Sequence, residues 1–278
     1  MSSTQSPEDD REKAYRSLAA WWAEMGIESD PLPRRQPAAP ARAVPKPQER
    51  AAPRPATAAA AQAAGFGDSG GSEADARKAA GAAKTLAELK AAIEAFEGCA
   101  LKRTARNTVF ARGNPKADLM IVGEAPGREE DEQGEPFVGR SGQLLDRMFA
   151  AIGLDREKDF YVSNIVNWRP PGNRNPSADE VALCLPFIER HIALVKPKIL
   201  VLAGGVSAQA LLRASTGIMR LRGRWAEYRL KDENFEPGEH VDTMPIFHPA
   251  FLLRRPQEKA KAWADLLEIQ GRLEEPAS

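Results

Sequence analysis

Cysteine is scarce. Cys99 and Cys184 are the only two in 278 residues, too few for a disulfide framework or a four-thiolate metal site, and a reducing cytoplasm suits them best. No stretch comes near the roughly 18 consecutive apolar residues of a membrane-crossing helix. The N-terminus, MSSTQSPEDDREK, is acidic and lacks the apolar segment of a secretory signal. Neither a membrane span nor export is therefore expected. Net charge is missing too: 39 basic residues balance 39 acidic ones, so any contact with nucleic acid must come from local patches. Histidine is limited to His191, His240 and His248, and no metal-ligand spacing is visible. The lack of a GxxxxGK[ST] loop counts against an NTPase.

What is present is unevenly distributed. Tyr15, Leu18, Ala19, Trp22 and Met25 recur at helical spacing behind Ser6-Pro7, so residues 1–30 are expected to carry one amphipathic helix, suited to docking or capping. Residues 31–73 turn to Ala, Pro, Gly and Ser, with almost no large apolar side chains to build a core, and read as a disordered linker. Arg34, Arg35, Arg42, Lys46, Arg50 and Arg54 face only Glu49 between Pro31 and Ala60. Such a tether is either a solubilising spacer or a weak phosphate contact.

Residues 74–278 are expected to form one domain. ADARKAAGAAKTLAELKAAIEAFEGC places Leu86, Leu89, Ile93 and Phe96 on one helical face. Strands are then expected at Asp118–Val122, Phe160–Ile165, Ile199–Leu202, Trp225–Leu230 and Thr243–Phe247. Helices are expected at Ser141–Ile152, Ala178–Val195, Ser207–Leu212 and Glu258–Arg272. Strands alternating with helices imply a three-layer α/β/α domain around a mainly parallel sheet.

Three strand ends carry unusual residues. After LMIVG come Glu124, Ala125, Pro126, Gly127, Glu129, Glu130 and Asp131, then Phe137, Ser141 and Gly142. Acids gathered at the carboxyl end of a buried strand stand where open α/β sheets hold ligands, although Pro126-Gly127 also suits a plain turn. Asn164 ends FYVSN and leads into the rigid WRPPGNRNP turn. His248 follows TMPIF and opens HPAFLLRR, where a neighbouring proline stiffens its backbone. Leu252, Leu253, Arg254 and Arg255 either form a wedge with a phosphate clamp or simply begin a helix. Gly142, Gly204 and Gly205 lie near helix starts, where free N–H groups favour phosphate. Carboxylates, an aromatic ring, an amide, an imidazole and phosphate-binding helix ends together suit a nucleotide.

GEAPGREEDEQGEPFVG, NIVNWRPPGNRNP and HPAFLLR, in that order, resemble the family 4 uracil-DNA glycosylases, with the likeness spanning about Thr85 to Leu273. The resemblance implies removal of uracil from DNA by base flipping, leaving an abasic site. It assigns Glu124 and Glu130 to the catalytic loop and His248 to the leaving group. Gly123, Ala125, Phe137 and Asn164 hold the extruded base, with Phe137 stacking on it and Asn164 reading its edge. Beside these, the helix-start and wedge arguments make Ser141, Gly142, Gly204, Gly205, Leu252, Leu253, Arg254 and Arg255 the candidate DNA contacts. The substrate is uracil-containing DNA, single- or double-stranded, and the enzyme a cytoplasmic monomer whose N-terminal helix is free to recruit a repair partner.

The chain departs from the family at one place. Family 4 members hold a 4Fe-4S cluster with four cysteines, and the matching positions here are Phe96, Cys99, Trp168 and Cys184. Two thiolates cannot satisfy a cluster in which each iron needs its ligand, so no cofactor is expected, with Phe96 and Trp168 filling its volume. Gly139-Arg140-Ser141-Gly142 runs straight into a helix, without the inserted His-bearing loop of relatives that trap the sugar covalently, so turnover is expected. Two alternatives stay open: a DNA-binding scaffold that has lost catalysis, and a hydrolase of small nucleosides.

Overall fold

A computed structural model describes residues 71–229 and 239–275. The expected N-terminal helix and the linker up to residue 70 lie outside the described residues. The sheet has six strands: β1 (Arg112–Gly113), β2 (Leu119–Gly123), β3 (Phe160–Asn164), β4 (Ile199–Ala203), β5 (Ala226–Arg229) and β6 (His240–Ile246). Their spatial order is β1-β3-β2-β4-β6-β5. The four inner strands run parallel, and the two edges pair antiparallel. Every residue of β2, β3 and β4 is buried, which is why β2 and β4 read as continuous apolar runs and β3 as one that ends in the polar pair Ser163 and Asn164.

The pleat sends successive side chains to opposite faces. Met120, Val122, Leu200 and Leu202 join a core with Ala76, Leu89, Ile93, Phe187 and Ile192. These come from α1 (Glu73–Ala82), α2 (Leu86–Ala95) and α5 (Ala178–Val195). On the other face, Phe149 of α4 (Arg140–Ala150) meets Phe160 at 5.3 Å between ring centroids. Gln270 of α9 (Lys259–Glu274) ties to the end of that helix by donating to the Ile152 carbonyl at 3.1 Å. The three-layer expectation therefore holds, with helices on both faces of a mixed sheet.

Two local features differ from expectation. The apolar run after residue 73 forms two helices, because Thr85 caps the second by accepting from Glu88 N, and the Ala83 carbonyl is claimed by the buried Arg190 guanidinium at 2.7 and 2.6 Å. The acidic segment after Gly127, read as loop, winds into α3 (Arg128–Gln133).

The topology places the site. β2 delivers the chain to β3 on one side, and the chain then crosses to β4 on the other, so the carboxyl end of β2 opens into a switch-point crevice. Gly123 and Asn164 are register partners, as are Ala203 and Ile246. Asn164 itself and the loops that carry Glu124, Gly204 and His248 therefore sit at one level.

Candidate active site

A cavity of about 640 Å³ lies at that level, lined by residues from all of these loops, among them Glu124, Phe137, Asn164 and His248. The first loop is fastened to the sheet, since the Ile165 and Val166 amides donate to the Gly123 and Glu124 carbonyls at 3.0 Å each. The Glu124 carboxylate is half-buried, and that burial raises its pKa above the usual carboxylate range. It makes no hydrogen bond or ion pair among the described residues, which leaves its oxygens to the cavity.

Glu130 is placed differently. One of its oxygens accepts from Gly127 N at 3.1 Å, and the other accepts from Val138 N at 3.1 Å and Gly139 N at 2.9 Å. It spans both ends of the acidic segment and holds the loop closed. Asp131 is buried and accepts from the Arg106 and Asn107 amides. The acids that look equivalent in the sequence thus divide, with Glu130 and Asp131 spent on backbone N–H groups and Glu124 left facing the cavity.

Phe137 is buried and sits at φ 56°, in the left-handed region that side chains other than glycine seldom adopt. Arg112 holds it there, with Nε donating to the Pro136 carbonyl at 2.8 Å and Nη2 to that of Phe137 at 3.3 Å. Two glycines make room. A Cβ on Gly142 would strike the Phe137 carbonyl, and one on Gly123 would strike both the Phe137 ring and Asn164 Oδ1. Gly142 is buried against that loop and is not among the residues that line the cavity.

Asn164 is almost fully buried, and its Oδ1 has no hydrogen-bond partner. An orphaned polar atom opening on a cavity is costly unless a ligand completes it. His248 caps α8 (Pro249–Arg254), its Nδ1 accepting from Ala250 N at 3.1 Å. The His248 side chain is half-buried and lines the cavity. Desolvation, aided by the Arg254 charge, lowers its pKa to about 4. The ring is therefore neutral near pH 7, and with Nδ1 accepting, its proton resides on Nε2. The Phe137 and His248 rings lie 5.7 Å apart, and the positive φ of Gly204 brings that backbone against His248.

The remaining expected residues separate. Ala125, Ser141, Gly204, Arg254 and Gly205, the first residue of α6 (Gly205–Leu212), line the cavity. Leu252 does not: it is fully buried and packs in the core. Leu253 is half-exposed outside the lining, and the Arg255 guanidinium lies over the Phe251 ring at 5.7 Å. Arg140, Arg174, Ile218 and Phe251 also line the cavity, and sequence reasoning missed them. Only Arg140, sitting between Gly139 and Ser141 at a helix start, carried a signal that could have found it.

The positions matching the family's cluster ligands do not fit a cluster. Phe96 packs edge-on against Phe187 at 5.2 Å. Trp168 is 1% exposed and donates its indole N–H to Thr108 Oγ1 at 3.0 Å. Cys99 and Cys184 are buried and share a hydrogen bond. Two thiols leave such a cluster two ligands short, since Phe96 and Trp168 offer no thiolate, and among the described residues no three His, Cys, Asp or Glu side chains gather to hold a metal. Among the same residues, no helix is long and apolar enough to cross a membrane.

Comparison with known proteins agrees with this geometry. A family model described as the uracil DNA glycosylase superfamily matches residues 110–267, which include all of the cavity loops. A type-4 uracil-DNA glycosylase of Archaeoglobus fulgidus is 37% identical over 190 residues, covering 67% of this chain and 92% of that protein. Another, of Pyrobaculum aerophilum, is 38% identical over 191 residues, covering 67% and 93%. One of Thermotoga maritima is 36% identical over 163 residues, covering 58% and 80%. With that coverage, and with its three loops gathered on one cavity, this chain belongs to the uracil-DNA glycosylase superfamily and falls among its type-4 members.

Proposed function

We propose that this chain is a DNA-repair hydrolase that excises uracil from DNA, leaving an abasic site. The observation that carries this reading is the meeting of Glu124, Phe137, Asn164 and His248 on one cavity at the carboxyl ends of parallel strands. A uracil inside a duplex must leave the stack before its sugar can be reached, at a cost of a few kcal/mol. Phe137, rigidly presented, returns about 1–3 kcal/mol by stacking on the extruded ring. The orphaned Oδ1 of Asn164 accepts the N3–H of uracil while its amide N–H donates to O4. Cytosine offers the opposite pattern and would leave a buried group unpaired.

Bond cleavage then follows from where the charges sit. As C1′–N1 breaks, its electron pair passes to the base and builds negative charge on O2, while the sugar becomes oxocarbenium-like. The Nε2–H of neutral His248 donates to O2, stabilising the departing anion as an oxyanion hole does. Ionised Glu124 stabilises the sugar cation and orients a water, whose oxygen bonds to C1′ and whose proton moves to the carboxylate. Glu130 acts by holding the loop. Arg140, Arg254 and the first amides after Gly139 and Gly204 receive the flanking phosphates. No metal and no covalent enzyme–sugar bond enter this reaction.

The test is an oligonucleotide carrying one uracil, incubated with the protein and then cleaved by alkali at the abasic site. Cleavage at that position is expected. Intact strands, single and double, would refute the reading, and release of uracil from free deoxyuridine alone would point to a nucleoside hydrolase.

A further inference from the structure

We infer that Met219 is the side chain that enters the base stack and fills the gap left by the extruded nucleotide. This inference rests on the uracil-excision reading. An extruded base leaves a void that DNA-distorting proteins fill with an apolar wedge, usually Phe, Leu, Ile, Met or Pro. Of the two leucines that the sequence suggests as a wedge, Leu252 is 0% exposed and Leu253 is half-buried and outside the cavity lining. Met219 is 55% exposed and is the large apolar side chain most open to solvent among the described residues.

Its position fits the task. Met219 follows Ile218, a cavity-lining residue, on the single-turn helix α7 (Ile218–Leu221). A Cβ on Gly205 would lie 3.9 Å from the Ile218 Cβ, so the turn abuts the glycine pair at the cavity wall. A wedge must also be stiff, or ordering it would consume what it contributes. The turn is braced after Met219: Gly223 N donates to the Pro245 carbonyl at 3.0 Å, and Arg222 donates to Asp265 Oδ2 and to the Lys261 carbonyl at 2.8 Å each. It is braced before as well, with Gln209 donating to the Thr216 carbonyl. Arg220 and Arg224, which follow it in the chain, are exposed, which suits a segment that approaches phosphates.

The experiment compares Met219→Ala, Met219→Leu and Leu253→Ala under single-turnover conditions on one uracil oligonucleotide, single-stranded and as a duplex. A single strand has no duplex stack to hold open, so Met219→Ala is expected to slow duplex excision on the order of tenfold, the loss of about 1.4 kcal/mol of unstacking support. Single-strand excision should stay within about twofold. Met219→Leu should restore the duplex rate. In the wild type, 2-aminopurine beside the uracil should brighten on binding as its neighbour is displaced, and Met219→Ala should abolish that rise. Unchanged duplex excision, an equal loss on both substrates, or a duplex-selective loss in Leu253→Ala alone would overturn the assignment. If the wild type excises uracil from neither strand form, it is the uracil-excision reading that fails.

Discussion

Arg112 and Phe137 are joined by a hydrogen bond from the guanidinium Nη2 to the Phe137 carbonyl, and this contact helps keep an aromatic residue at φ 56°. Backbone held in that region costs of order 1–3 kcal/mol, which the surroundings must offset. Lysine at position 112 would keep the charge beside Asp146 but could not bridge two carbonyls. Arg112→Lys is expected to slow uracil excision by about tenfold, or ~1.4 kcal/mol, with more of the loss in kcat than in KM. An unchanged kcat would show that Phe137 keeps its place without the clamp.

Gly123→Ala tests how closely the base-reading residues press on the sheet. The new methyl would collide with Asn164 Oδ1 and the Phe137 ring, at an overpacking cost of roughly 1–3 kcal/mol. Since both residues touch the substrate in the proposed reaction, excision should fall by about a hundredfold or more while the fold survives. Gly81→Ala is the control, because nothing lies within 4 Å of its Cβ. Melting curves and rates measured together separate collapse of the fold from misplacement of the site.

The pH profile should report Glu124. Burial raises its pKa, and the proposed chemistry needs the ionised form, so kcat should fall on acidification through that raised value and level off above it. His248 titrates near 4 and stays neutral through most of this range, so it does not set the limb. Glu124→Gln should remove the acid limb along with most of the activity. A limb that persists unchanged in that variant would assign it elsewhere.

Glu130 and Glu124 should separate in one pair of variants. Glu130→Ala strips the partner from three backbone N–H groups, each worth about 1.5–3 kcal/mol when the acceptor is charged. Both melting temperature and rate should drop. Glu124→Gln breaks no contact within the protein, so its rate should drop with melting temperature held to within about 2 °C, less than the shift expected for 1 kcal/mol in a domain of this size.

Metal analysis checks the packing of Phe96 and Trp168. Protein purified without oxygen should contain no iron and show no band around 400 nm, and Trp168→Ala should destabilise the fold by about 3–5 kcal/mol through the cavity it leaves. A brown, iron-bearing wild type would contradict this.

The sequence reveals the sheet well because a buried parallel strand has a one-dimensional signature, and LMIVG, FYVSN and ILVLA carry it. The site residues were legible where a motif fixed them to a strand end, as with Asn164 and His248. Which of Glu124 and Glu130 is free was not legible, since that depends on amides eight and nine residues further along. Leu252 and Leu253 are adjacent letters, and only the turn of α8 decides which one is buried. Arg112 lies 25 residues before the carbonyl it serves, and a lone arginine on a two-residue edge strand gives no sign of that contact.

The pairing of Gly123 with Asn164 reaches beyond catalysis. Side chains alternate across a sheet, so sliding β3 by a single position against β2 would turn the Asn164 amide away from the cavity and carry Ser163 into its place. A misaligned molecule could be compact and soluble yet inert, and assaying repair on freshly refolded protein would amount to counting correctly zipped sheets.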